Sequence, residues 1–425
     1  MTQSLVIHAR TSVRPGAPSA ARTDARPSGS RIVIDVVSDL AELEREWRQF
    51  ERQADCTAFQ SFDWLSTWQA CIGARKGVRP AIVTGRSPGG DLLFLLPLAT
   101  ESAGPLRRLT FLGRDLCDYN APLLSPSTGH ILADDFHNLW SRITQRLQKD
   151  SRHRHDLILF DKMPQQVGHQ ANPLCRLSCR PNPSGAYLAT LAATWDAFYE
   201  QKRSGSSRKR DRQRQRRLAA LGDVAFDTVK DADDRRATLD TLMAQKRQAF
   251  ARMGVTDIFS RAGYVDFFHA ITQRAPDLIH IGKLQVGETP AATNMGLVFR
   301  NRFYHVLISY DAGPISRAGP GTAHLHDLMR YAVERGCKTF DFTIGDEPYK
   351  REWSDVELTL YDYIAPVTIL GTIVAAPLDA LRELKRYIKQ SPRLWSLTTK
   401  TRAFLSRGKA GAERGDTRSK IENDG

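Results

Sequence analysis

Between Arg31 and Thr343 the chain passes twice through the same order of elements, and this limits the fold more than any other feature. In the first pass Arg31–Val37 reads as a strand, and Ser38 or Asp39 caps a helix that runs to about Arg52. Phe62, Leu65, Trp68 and Ile72 then share one helical face. Strands follow at Ala81–Thr84 and Leu92–Leu98 around a Ser-Pro-Gly-Gly-Asp turn, with a third over Leu106–Leu112. A helix near Asp134–Gln148 and the strand Asp156–Phe160 complete the pass. In the second pass helices are expected at Trp195–Glu200, Ser206–Leu221, Thr238–Met253 and Tyr264–Ile271. Strands follow at Leu278–Gln285, Ala291–Phe299 and Phe303–Tyr310, then a helix over Thr322–Arg335 ended by Gly336, and the closing strand Lys338–Thr343.

Helices, a strand meander, a helix and a last strand, read twice, predict two α/β (α+β) units. Their residues are too different to be called a sequence repeat. The expected units are 31–180 and 181–365, preceded by a polar extension over 1–30 and followed by a basic helical segment and tail over 366–425. The 425 residues suffice for this plan, and 41% hydrophobic with 25% charged content suits a globular chain. The extension is expected to be disordered; its Arg, Ser and Pro content also matches an organelle transit peptide. The longest uncharged run, Tyr363–Leu378, holds two prolines and is too short for a spanning helix, so no transmembrane segment is expected. Six scattered cysteines without a CxxC pair point to a reducing compartment, and the cytoplasm is the expected location.

A formal net charge of +14 favours anionic partners: nucleic acid, a phosphate-bearing cofactor or an acidic membrane surface. The densest basic run, Lys202 to Arg217, fits a solvated helix, a phosphate-contacting face, or a surface that attracts an anionic cofactor. Histidines at 153/155 and 324/326 stand two apart, with no acid or cysteine to complete a set, so no metal site is expected.

Two stretches carry chemistry. In "SRAGPGTAH", Ser316 to His324, glycines 319 and 321 flank a proline just before a helix. Such a turn presents backbone N–H groups, with the partial positive charge of a helix N-terminus, to a pyrophosphate. Arg317 stands ready to pair with a phosphate oxygen, and Thr322 and Ala323 open the helix. In "KTFDFTIGDEPYKREWSD", Lys338 to Asp355, a strand ends in a cluster of acids, a tyrosine, a lysine and a tryptophan. Asp341 lies on the strand face opposite Phe340 and Phe342. Asp346 and Glu347 sit at the strand's mouth, followed by Tyr349, Lys350 and Trp353.

These stretches, with "FQSFDWLSTW" (59–68), "FLGRDLCDYNAPLLS" (111–125) and "RRLAALGDVAF" (216–226), resemble the GNAT acyltransferase superfamily, nearest to its CelD-like branch named for cellulose-biosynthesis proteins. The resemblance covers roughly residues 31–365. It implies tandem GNAT-like units, each a mixed, mostly antiparallel sheet flanked by helices, with acetyl-CoA or another acyl-CoA as co-substrate and no metal. Residues 319–323 match the pyrophosphate-binding turn, but Ser316 stands where the family has a basic or amide residue, and Arg317 falls one place late. The first unit's Ser127-Thr128-Gly129 is a poorer turn, which leaves that unit a scaffolding or acceptor-shaping role.

The implied activity is N-acylation of an amine on a small polar metabolite or amino sugar, linked to exopolysaccharide synthesis. Tyr349 is then the proton donor to the leaving sulfur, and Asp346 holds the acceptor. Asp341 is a further acid for the amine's proton, and His305, in the alternating strand, a base lining the groove. Glu347, Lys350 and Trp353 complete the substrate surface. The alternatives are a Fem-type transferase using aminoacyl-tRNA, the one case with a nucleic-acid partner, and a non-catalytic component of polysaccharide assembly. Oligomeric state is not legible in the sequence.

Overall fold

The computed structural model describes residues 32–391 except Ser127 and residues 129–134. The expected N-terminal extension and the distal tail lie outside the described residues. The chain begins with β1 (Val33–Val37) and α1 (Leu40–Gln53). Asp39 caps α1 by accepting from the Ala41 amide, and Leu40, Leu43, Trp47 and Phe50 form its buried stripe. Then come α2 (Phe62–Trp68), β2 (Arg79–Arg86), β3 (Leu92–Ala103), β4 (Leu106–Phe111), α3 (Phe136–Lys149), β5 (Leu157–Pro164) and the short β6 (Arg180–Pro181). The chain goes on with β7 (Ala186–Thr190), α4 (Trp195–Lys202), α5 (Gly205–Ala219), β8 (Val224–Thr228), α6 (Ala232–Met253) and α7 (Tyr264–Arg274). It continues with β9 (Ile279–Val286), β10 (Thr289–Phe299), β11 (Arg302–Tyr310), α8 (Pro320–Glu334), β12 (Thr339–Ile344) and α9 (Pro348–Trp353). The last elements are β13 (Val356–Leu358), β14 (Leu360–Pro366) and α10 (Ile369–Gln390).

Two sheets share one plan. The first runs β1-β2-β3-β4-β5-β14-β6, with Leu123–Leu124 pairing off β3, and the second β8-β9-β10-β11-β12-β7-β13. In each, the fourth and fifth strands are parallel and all other neighbours antiparallel. The sixth place is exchanged between the halves. β7 follows the first unit's strands yet pairs with β12, while β14 follows the second unit and pairs with β5. The sequence reading placed residues 360–365 with the second unit; their strand completes the first sheet instead.

The exchange fastens the halves together, and a shared core seals them. Trp47, Phe59, Trp64 and Tyr119 pack in one cluster with Tyr264, Phe267, Met295 and Tyr304. The Trp64 and Phe267 rings meet edge to face at 4.9 Å. Around this core Arg300 donates to the Glu51 and Ala54 carbonyls, and Arg274 pairs with Asp63 at 3.0 Å. Among the described residues no helix is long and apolar enough to cross a membrane, and all six cysteines are free.

Candidate functional site

The site lies where β11 and β12 part. They pair in parallel over three positions, Arg302–Thr339, Phe303–Phe340 and Tyr304–Asp341. Past this point β11 follows β10 and β12 follows β7, so the sheet opens into a fork. Gly296 faces His305 while Met295 faces Leu307, which leaves Val306 as an extra, bulged residue at the opening. On the other arm Thr343 has φ 57, a left-handed conformation that a β-branched residue adopts at a cost of order 1–3 kcal/mol. The Thr343 amide donates to Asp341 Oδ1 at 2.8 Å, and its hydroxyl donates to the His305 carbonyl at 3.4 Å. The strain is therefore held in place beside the fork.

On the α8 side of the sheet the fork opens into a cleft of about 550 Å³ lined by Arg203, Arg210, Arg214, Ile308, Tyr310, Ser316, Gly319–Thr322, Leu325, Tyr349, Glu352 and Trp353. Gly319 is the cap residue of α8, at φ 78, and no side chain caps the helix. Pro320 has no N–H, so the amides of Gly321 and Thr322 are the first free donors, and they carry the positive end of a 15-residue helix. A side chain at Gly319 would meet Arg214 Nε at 2.7 Å, and one at Gly321 would meet the Tyr310 ring at 3.0 Å. The glycines thus bring bare backbone against an arginine and an aromatic wall.

Helix α5 supplies the cations. Arg214 is positioned by Asp211 at 2.9 Å. Arg203, just before the helix, is held by Asp211 at 3.0 Å and Glu352 at 3.2 Å, and stacks over Trp353 at 4.7 Å. Arg210 is exposed and reaches the Ser207 hydroxyl at 3.0 Å. Of the residues expected from the sequence, Gly319, Gly321 and Thr322 line this cleft, with Tyr349 and Trp353. Arg317 is exposed and lies outside the lining, and Ala323 is buried beneath it. Burial pushes the Tyr349 phenol above its ordinary range, with Glu347 adding to the shift, so it stays protonated at neutral pH.

His305 packs beside Tyr349, Phe340 and Phe342, whereas Asp341 faces the opposite side of the fork, where the halves meet. Asp341 has no exposure at all. Its carboxylate accepts from the Tyr119 hydroxyl at 2.7 Å and pairs with Arg302 at 3.3 Å. Burial raises it above the usual carboxylate range, opposed first by Arg302. Expected as an acid for the acceptor's proton, Asp341 instead bolts the 111–125 segment to the closing strand. Asp346, expected to hold the acceptor, pairs with Lys389 of α10 at 3.1 Å. Glu347 is exposed and bridges at 3.1 Å to the buried Lys350, which also donates to the Ile344 carbonyl. Burial pushes His305 down to about 3, and its Nε2 has no partner within the protein. An imidazole so weakly basic is poorly suited to the base role expected of it. His324 bonds Asn294 at 2.9 Å, and His326 packs edge-on to Trp195. No described group of three or more His, Cys, Asp or Glu is placed for a metal ion.

Asp118 and Lys246 complete this second face. Thr343 hydrogen-bonds Asp118, whose carboxyl is raised by burial and opposed by Lys162. Lys246 of α6 donates to the Ile308 carbonyl at 3.1 Å, on the far arm of the fork. Burial lowers its ammonium below the ordinary lysine range, with Glu347 opposing. Glu347 and Lys350 act electrostatically on both Asp118 and Lys246, so two acids and two lysines lie near one another beside the fork. Neighbouring motif segments support it: Gln60 donates to the Tyr119 carbonyl at 2.7 Å, and the Phe59 ring packs on Tyr119 and Tyr304. Segments 59–68, 111–125 and 340–353 therefore converge here.

Comparisons with known proteins fit this geometry. The family described as acetyltransferase (GNAT) domain matches residues 205–351, from the start of α5 to α9. No curated protein matches the chain. Among solved structures, FemX superposes with a TM-score of 0.53 at 11% identity, over 76% of this chain and 96% of FemX. The C-terminal domain of a putative lysylphosphatidylglycerol synthetase from Agrobacterium fabrum gives 0.48 at 13% identity, over 81% and 96%. A tandem GNAT protein from the clavulanic acid biosynthesis pathway gives 0.44 at 10%, over 79% and 98%. The match over residues 205–351 supports a transferase, and the chain shares its fold with FemX: two α/β units whose sheets follow one plan.

Proposed function

We propose that the protein is an acyl-CoA-dependent N-acyltransferase acting on an amine of a small polar metabolite, amino sugars included. One observation carries this reading: the bare amides at the start of α8 and the arginines of α5 face each other across a cleft that ends at Tyr349 and the fork. A pyrophosphate is matched by this pairing of helix N-terminus and guanidinium groups. The amide-bearing arm of the cofactor then extends along β11 beyond its pairing with β12, which brings the thioester to the fork.

The acceptor enters from the opposite side. Asp118 and Glu347 suit the amine, and Lys246 and Lys350 suit an anionic or hydroxyl group beside it. The amine nitrogen attacks the thioester carbon, a C–N bond forms, and the C–S bond breaks. The departing sulfur takes the Tyr349 phenol proton, and the nitrogen's surplus proton passes to water or an acid at the opening. The likeness to CelD-like proteins is what links the acceptor to polysaccharide synthesis.

A second reading is favoured by the outer face of α5, where Lys209, Arg212, Arg216 and Arg217 are exposed. A Fem-type transferase would lay the phosphates of an aminoacyl-tRNA on this face. Thermal shift separates the two, because a ligand that binds only the folded protein raises its melting temperature. The acyl-CoA reading predicts a rise with CoA and acetyl-CoA and none with tRNA. A rise with tRNA alone selects the Fem-type reading, and no rise with any of the three selects a non-catalytic component.

A further inference from the structure

Helix α10 is amphipathic in the reverse of the usual sense. Its charged side faces the protein: Arg382 pairs with Asp362 at 3.3 Å, Asp379 and Glu383 each lie 3.6 Å from Arg180, and Lys389 pairs with Asp346. Its other side carries Ile369, Ile373, Leu381, Leu384 and Tyr387, exposed by 83, 67, 48, 54 and 67%. With Leu370, Ala376, Pro377 and Ala380 these fill roughly 140° of the helix circumference without one charge. The helix cannot roll to hide this face. At Gly371 a Cβ would lie 1.8 Å from the Asp156 carbonyl, and the Val367 amide and Thr368 hydroxyl are also bonded to Asp156.

We infer that this stripe docks on an anionic membrane surface, with the helix lying in the plane of the interface. Two observations choose this occupant. The stripe is about 33 Å long and about 10 Å wide, so it offers on the order of 300 Å², against roughly 800 Å² per partner in a stable protein interface. A second copy held by this face alone is therefore too weakly buried. Charge also points to lipid: from Arg382 to Lys409 the sequence has nine Lys or Arg and a single acid, Glu383. A basic segment attached to an exposed apolar helix face is the combination that binds anionic bilayers. The last turn of α10 reaches the site, because Lys389 holds Asp346. Docking would therefore set the acceptor side of the fork close to the lipid headgroups.

The test is co-sedimentation of the full chain with vesicles of neutral phosphatidylcholine, or of the same lipid with about 30 mol% phosphatidylglycerol. The wild type should bind the anionic vesicles, weaken in high salt and ignore the neutral ones. Ile373→Asp/Leu384→Asp should reduce binding at least roughly tenfold. Leu381→Asp/Tyr387→Asp should act in the same way. All four side chains are exposed, so unchanged melting temperatures will show that both variants fold. Equal binding by wild type and both variants would assign the interaction to the basic tail and overturn the proposal. Absence of vesicle binding would overturn it too, as would a dimer, measured by light scattering, that both variants dissolve. The assay uses no CoA, so its outcome is independent of the acyltransferase reading.

Discussion

The two halves of this protein have the same strand order and the same parallel pair in the fourth and fifth places, yet they differ in what stands at equivalent positions. Before α8 the second half has a left-handed glycine, a proline and free amides opposite arginines. In the corresponding stretch of the first half, the Thr128 hydroxyl is committed to the Leu93 carbonyl at 2.8 Å. Conversely, the first half sends Asp118 and Tyr119 across to the second half's closing strand, where Tyr119 holds the buried Asp341. Under the proposed function, the second half grips the cofactor and the first walls the acceptor. A fold alone does not specify function; the residues at equivalent positions do.

Five changes test this division, the strongest first. Tyr349→Phe should lower turnover by about 10²–10⁴-fold while CoA affinity, measured by calorimetry, stays nearly constant. Full turnover would remove Tyr349 from the mechanism. Gly319→Val, at a left-handed position against Arg214, should weaken CoA binding by about 100-fold, or about 2.7 kcal/mol. The matched change in the other half, Thr128→Val, should cost about 1 kcal/mol of stability and leave CoA affinity untouched. If the two variants lose affinity equally, the proposed division of labour is wrong. Arg214→Ala should weaken CoA about tenfold and flatten its salt dependence. Tyr119→Phe should destabilise by about 1 kcal/mol and raise the acceptor KM without altering CoA affinity.

Acid should act through the second half's histidines. Burial holds His280 and His305 at about 3 and His324 at about 4, all below the unfolded value near 6.5. The unfolded chain therefore binds more protons in this window, so their contribution is present above about pH 6.5 and is lost as the pH falls toward 4. The melting temperature should fall over that range, and His305→Gln should make the fall shallower. An identical profile for the variant would show that the histidine does not contribute.

Much of the fold was legible because apolar periodicity reports burial directly. Leu40, Leu43, Trp47 and Phe50 mark one face of α1, and Phe340 and Phe342 mark the buried side of the closing strand. The short strands Ala186–Thr190 and Leu360–Pro366 were not legible, since the sheet each one completes lies in the other half and no local pattern encodes that exchange. Residue type and order picked out the glycine turn and Tyr349, which line the cleft. Arg210 and Arg214 stood within a recognised basic run, but which of its cations face the cleft depends on how α5 is seated. Lys246 gave no signal, because a lone lysine in a helix becomes notable only when tertiary packing buries it. Asp341 was misassigned for the same reason: strand alternation shows that it faces away from the phenylalanines, and only the first half's Tyr119 shows what occupies that side.

The most direct measurement is a crystal structure of the protein with bound CoA. The account predicts the diphosphate within hydrogen-bonding distance of the Gly321 and Thr322 amides, flanked by Arg210 and Arg214, with the sulfur near Tyr349. A diphosphate seated elsewhere, or a cleft left empty at saturating CoA, would contradict it.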